Sequence, residues 1–130
     1  MASASGGSLI PPGVQVRASH FLIKHAESRN PISRRSDEST AHFSKADAEL
    51  EMQKWIETLY KDPRPMEEKF ASLCFHRSDC GSFEAGGDLE HFGHEEMQQP
   101  FEEATWALAV GEVSGIVTTD SGTHIIFRTA

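Results

Sequence analysis

The stretch FEEATWALAVGEVSGIVTTDSGTHIIFRTA, residues 101–130, decides the fold. Met97, Phe101, Ala104 and Leu108 recur at three- and four-residue spacing, which predicts a short helix from about Glu96 to Leu108. Gly111 punctuates it, and two strands follow, joined through the tight turn Asp120-Ser121-Gly122. The closing strand sets His124 beside Ile125, Ile126 and Phe127. A second solitary histidine, His20, stands among Phe21, Leu22 and Ile23 in VRASHFLIKH, residues 16–25. Histidines in such strands are most often hydrogen-bonded core residues. Both strands can also bring them to the hydroxyls of Thr119 and Ser121, which suits either a structural or a chemical role.

Outward from these strands, the chain reads as one domain. Residues 1–15, MASASGGSLIPPGVQ, are small, polar and turn-rich, and are expected to be a disordered lead-in to a domain spanning 16–130. Gln15 to His25 reads as a central strand, and residues 26–43 as a long loop, functional or mobile. Ser44 with Asp47 resembles a capping box opening a helix to about Lys61, with Ala48, Met52, Trp55, Ile56 and Leu59 on one face. Asp62-Pro63-Arg64-Pro65 stops it. A second helix, about Met66 to His76, turns Phe70, Leu73 and Cys74 inward, and Gly81, Gly86 and Gly87 mark a flexible loop. Strand, helix, helix, short strand, helix, strand, strand is an α+β order, a sheet with helices packed on it.

A net charge of −8 argues against non-specific nucleic-acid binding, but the charge is unevenly spread. Residues 17–35 carry Arg17, Lys24, Arg29, Arg34 and Arg35 against the single acid Glu27. That local excess is either a solvated loop or an anion site. No run is long and apolar enough for a membrane span, and no signal-peptide pattern opens the chain, so a soluble intracellular protein is expected. Cys74 reads as a small core residue. Cys80 follows Asp79, whose charge raises a thiol pKa unless a histidine compensates. No Cys-x-x-Cys or His-Glu-x-x-His pattern occurs, and His91 and His94 beside Glu95 and Glu96 are a weak metal signal. Leu89, Phe92, Met97 and Phe101 read as core, or as a shallow pocket for a small apolar ring.

Together, SHFLIKH (19–25), the Ser28-Arg29 loop, SDC (78–80), GGDLEHF (86–92), MQQPFEEATWAL (97–108), GEVSG (111–115) and TDSGTHIIFRT (119–129) resemble a parvulin-type peptidyl-prolyl isomerase of the phosphorylation-directed branch. The resemblance runs from Val16 to the end. It implies a parvulin (FKBP-like) fold, a four-stranded, mostly antiparallel sheet surrounded by helices. It implies isomerisation of phospho-Ser/Thr-Pro bonds without metal or cofactor, by a monomer of the cytoplasm or nucleus. The implied partners are phosphorylated proteins or peptides, with neither nucleic acid nor membrane. His20, Cys80, Thr119, Ser121 and His124 match the family's polar site, Leu89, Met97 and Phe101 its proline pocket, and Gln98 a residue near the substrate backbone. Lys24 and Arg29 match its phosphate-binding cations. Asn30 stands where a second basic residue is usual, and Arg34 or Arg35 are the candidates to replace it. Glu84 follows Cys80 in a loop with no basic residue, and Ile116 stands where proline is common. The family's frequent WW companion has no counterpart here, since Trp55 and Trp106 fall in predicted helices. A phosphopeptide reader with little turnover, a general folding helper on unphosphorylated Xaa-Pro, and a redox or metal protein are the competing functions.

Overall fold

The structure, a computed structural model, describes residues 8–130. Strand β1 (Gln15–Ile23) is central because its residues alternate between two buried faces. Helices α1 (Lys45–Lys61) and α2 (Met66–Arg77) follow, then a 3-10 helix over Gly81–Ala85, strand β2 (Asp88–Gly93), helix α3 (Gln99–Ala107), and the hairpin of β3 (Val117–Thr119) and β4 (Gly122–Arg128). The sheet order is β2-β1-β4-β3, and all three pairings are antiparallel.

The alternation sorts the side chains. Phe21, Ile23, Ile125 and Phe127 point to one face and pack under α1 and α2 with Ala48, Met52, Leu59, Phe70, Leu73 and Cys74. Val16, Ala18 and Ile126 point to the other and meet Phe92 and Phe101. His20 and His124 share that second face: His20 opposes Ile126, and Leu22 opposes His124. Sheet parity alone therefore brings the two histidines together as diagonal neighbours.

Three features differ from the sequence reading. Residues 8–15 are not a loose lead-in. Ile10 is buried in the second core cluster, its N–H donates to Glu102 Oε2 at 2.8 Å, and Val14 closes a turn onto Pro11. The remainder of the expected lead-in, residues 1–7, lies outside the described residues. The Gly81–Gly87 segment is not a flexible loop but a capped 3-10 helix, opened by Cys80 and closed by Gly86 in the left-handed region at φ 67°. Only the first half of the expected capping box forms, Ser44 Oγ accepting from Asp47 N at 3.0 Å.

Gly87 shows how that segment is held. Its carbonyl accepts the His20 N–H at 2.9 Å, and a Cβ there would stand 2.5 Å from the His20 carbonyl and 2.6 Å from Cys74 Sγ, at φ 85°. Gly87→Ala is expected to cost about 2–4 kcal/mol, combining overpacking with a positive φ. Urea unfolding checks this, and a loss within 0.5 kcal/mol (about the scatter of neutral substitutions) contradicts it.

Candidate active site

The His20 and His124 rings stack with centroids 5.1 Å apart, and their Nδ1 atoms are 2.9 Å from each other. His124 Nε2 lies 2.7 Å from Thr119 Oγ1, across the hairpin, and Ser121 N donates to the same oxygen at 3.1 Å. Gln98, capping α3, fastens the turn: its Nε2 donates to Ser121 Oγ at 2.8 Å and its Oε1 accepts from Asp120 N at 3.1 Å. Burial, with His20 adding, holds the His124 pKa well below the ordinary histidine value, so this ring is neutral and carries one N–H.

The chain of bonds therefore has two directions. With the His124 proton on Nδ1, Thr119 donates to Nε2, and His20 carries its own proton on Nε2. With it on Nε2, His20 donates from Nδ1, and the Thr119 hydroxyl proton is free for another acceptor.

Cys80 reaches this chain because β2 stops pairing with β1 before the end of that strand. Beyond Ser19 the SDC segment takes over: Leu22 N donates to Ser78 Oγ at 3.1 Å, Asp79 N to the Leu22 carbonyl at 2.8 Å, and Lys24 N to Asp79 Oδ2 at 2.9 Å. The buried His20 Nε2 has no other hydrogen-bond partner among the described residues, and a proton there favours the Cys80 thiolate by hydrogen bonding and by charge. Burial pushes the thiol up, but His20 and the Ser82 N–H, 3.5 Å from Sγ, outweigh it and lower the pKa to about 6. Asp79 does not act as its sequence position suggests, because its carboxylate is committed to Lys24, Ser33 and Arg77.

Cys74 is the opposite case: burial holds its thiol high, and its Sγ donates to the His20 carbonyl at 3.2 Å. Iodoacetamide is thus expected to alkylate Cys80 alone at pH 7, with a rate that rises through about pH 6 and levels off, since the thiolate is the nucleophile. Peptide mapping across pH 5–9 checks this; a rate still climbing at pH 9 contradicts it.

The apolar residues border the polar chain. The Phe101 ring stands edge-on to His20 at 5.5 Å and to His124 at 5.3 Å, and lies 6.1 Å from Phe92. Leu89 and Met97, half-buried, pack on the same cluster. A small apolar ring on this surface would have Thr119, Ser121 and Cys80 for polar neighbours.

The basic residues divide. Lys24 is buried, and its Nζ donates to the Ile32 carbonyl at 2.8 Å. Burial lowers its pKa, Asp79 opposes the shift, and Arg34 adds to it through like-charge repulsion. Arg34 lies along Gly81, its Nη2 3.9 Å from where a Cβ would stand, beside Cys80. Arg29 is exposed and its N–H donates to the Asp120 carbonyl at 2.7 Å, tying the basic loop to the hairpin turn. Arg35 turns instead to Asp79, Nη2 to Oδ1 3.8 Å, and leaves the set. The long loop is cross-braced by a bridge between Ile32 and Ser39.

Among the described residues no group of three or more His, Cys, Asp or Glu side chains is placed to hold a metal. His94 contacts Glu102 and His91 is exposed. Sequence reasoning assigned no structural role to Ser33 or Ser78, read Gly87 as part of a flexible loop and considered Asp79 only for its charge beside Cys80, whereas these residues hold the loop and the strand end around the site. The available signal was the run Ser78-Asp79-Cys80.

The fold and this site define a rotamase, and the chain belongs to the family whose model, the PPIC-type peptidyl-prolyl isomerase domain, matches residues 20–130. It is a parvulin-type peptidyl-prolyl cis/trans isomerase. More narrowly, it is similar to the isomerases named Pin1 and ESS1. It is 48% identical over 115 residues to ESS1 of Saccharomyces cerevisiae, covering 88% of this chain and 65% of that protein. It is 46% identical over 117 residues to Pin1 of Digitalis lanata, covering 88% of this chain and 96% of that protein. The solution structure of TbPIN1 superposes with a TM-score of 0.77 at 46% identity, covering 89% of this chain and 97% of that one. The isomerase ESS1 from Candida albicans gives 0.81 at 39% identity, covering 96% and 68%.

Proposed function

We propose that this isomerase acts on Ser/Thr-Pro bonds whose Ser or Thr is phosphorylated, by twisting the amide without a covalent intermediate. The observation that carries the reading is the pairing of Lys24 with Arg34 beside Cys80, next to an apolar surface bordered by the histidine pair. Two cations held close enough to repel each other are suited to an anion. Arg34 occupies the role for which Asn30 lacks the charge, and Arg29 stands at the other end of the loop.

Prolyl isomerisation faces a barrier of about 18–20 kcal/mol that comes from amide resonance. Reaching on the order of a thousand turnovers per second requires roughly five decades, or about 7 kcal/mol. No bond need break. Leu89, Met97 and Phe101 hold the proline ring, and the phosphate, held by charge-assisted hydrogen bonds, fixes the residue before it. The carbonyl between them is then the part free to rotate, and its removal from water favours the less polar twisted amide. Reversal of the histidine chain frees the Thr119 proton to follow that carbonyl. Cys80 acts as a charged and hydrogen-bonding neighbour, and substantial activity in Cys80→Ser or Cys80→Asp would rule out an obligatory adduct.

The test is cis/trans exchange by NMR on matched phospho-Ser-Pro, Glu-Pro and Ala-Pro peptides. A preference of about 100-fold for the phosphopeptide, about 2.7 kcal/mol, is expected. Similar rates on all three would make this a general folding isomerase, and binding without exchange a reader.

A further inference from the structure

Resting on that phosphate-directed reading, we propose that Asp79 is the positioning residue of the anion site. Its buried carboxylate pins the turn at Ser33–Ser36 and withholds Arg35, so that Lys24 and Arg34 are the cations presented to the phosphate. Asp79 is 2% exposed and joins three elements. Oδ2 accepts from Lys24 N at the end of β1, while Oδ1 accepts from Ser33 Oγ in the loop at 2.7 Å and from Arg77 Nη1 on α2 at 3.1 Å.

Ser33, equally buried, relays the constraint: its Oγ accepts from Arg35 N at 3.2 Å and Ser36 N at 3.3 Å. Arg34 N donates to the Asp79 carbonyl at 2.9 Å. The backbone of Arg34 is thus fixed by Asp79 directly and, through Ser33, on both sides.

The charges are sorted by the same group. Arg77 bridges Asp79 to Glu51, with Nε 2.5 Å and Nη2 3.2 Å from the Glu51 oxygens, and Arg35 completes the cluster against Asp79. Two carboxylates and two guanidiniums balance there. Arg34, exposed and lying along Gly81, is left over on the side of Cys80, with the buried Lys24 adding its charge from behind, which suits a phosphate dianion. An amide in place of the carboxylate has one acceptor oxygen for two sides: kept on Ser33 and Arg77, it sets an NH2 against the Lys24 N–H, and turned to Lys24, it sets the NH2 against Ser33 and Arg77. Either way a donor faces a donor, the join between the strand end and the turn is weakened, and Arg35 loses its ion pair.

Asp79→Asn is therefore expected to raise KM for a phospho-Ser-Pro peptide about tenfold, with kcat and the Ala-Pro rate changed less than about twofold. Ser33→Ala, which cuts the relay but leaves every charge in place, is expected to shift the same KM about threefold in the same direction. Amide spectra establish that each variant is folded, and Ser33→Ala decides alone if Asp79→Asn is not. A wild-type protein without phosphopeptide preference would sink the functional reading, and this proposal with it. A wild-type preference that survives in the folded variants would overturn the role of Asp79 alone. So would equal losses on phosphopeptide and Ala-Pro, which mark a merely structural residue.

Discussion

Replacing Arg29 and Arg34 together with alanine is expected to lower kcat/KM on a phospho-Ser-Pro peptide by about 100-fold, while Ala-Pro turnover stays within about threefold. A hydrogen bond to a charged partner contributes about 1.5–3 kcal/mol, and losing two of them at the lower figure removes about 3 kcal/mol. The contrast between substrates follows from where the two side chains stand. Both are exposed, and among the described residues neither guanidinium holds a structural ion pair, so their loss disturbs little besides the proposed anion site. Glu-Pro, with a single charge, should fall between the other two. Matched losses on phospho-Ser-Pro and Ala-Pro would remove the arginines from substrate recognition. Raised salt should mimic the double variant in part, because exposed charges are screened over roughly 8–10 Å at physiological ionic strength.

Much of this was legible in the sequence because it depends on periodicity. The apolar runs Phe21-Leu22-Ile23 and Ile125-Ile126-Phe127 assigned His20 and His124 to strands, and the 3.6-residue recurrence found α1 and α2 with their inward faces, Ala48, Met52 and Leu59 on one and Phe70, Leu73 and Cys74 on the other. Residue identity against a family pattern then pointed to His20, Cys80, Thr119, Ser121 and His124, to Leu89, Met97 and Phe101, and to Lys24, and the fold brings the two histidines, Thr119 and Ser121 into one chain of bonds bordered by Phe101. What stayed hidden depends on where backbone polar groups find partners. The burial of Ile10 rests on Glu102, a charged residue 92 positions away whose carboxylate collects the N–H groups of Ile10 and Glu95. The choice between Arg34 and Arg35 rests on a carboxylate 45 and 44 positions on, respectively, and adjacent residues of one type carry no sign of which will turn inward. Asp79 was weighed only as a neighbour of Cys80, because sequence adjacency shows proximity and not direction. Glycine count suggested flexibility at 81–87, whereas the positive φ values of Gly86 and Gly87 are what let that segment close tightly on Ala71 and His20.

Phe101→Ala should be the most damaging single change, and its effect should not depend on the residue before proline. The ring is 4% exposed, stands against both histidines and Phe92, and forms the floor under Leu89 and Met97. Truncation of such a ring costs about 3–5 kcal/mol, from lost burial plus the cavity left behind. The same cavity lets the histidine pair tilt and admits water to the carbonyl that must rotate. Turnover is therefore expected to fall by about a thousandfold, roughly 4 kcal/mol, on phospho-Ser-Pro, Glu-Pro and Ala-Pro alike. Phe101→Leu retains an apolar floor without the aromatic edge and should restore most of the stability and part of the rate. Unfolding by urea and exchange NMR on the three peptides separate the two effects. A loss confined to the phosphopeptide would place Phe101 outside the proline pocket, since a surface that grips only the ring has no means of sensing the phosphate. Uniform loss here, beside selective loss in the arginine variant, is the pattern expected when one part of the site holds the proline and another chooses the substrate.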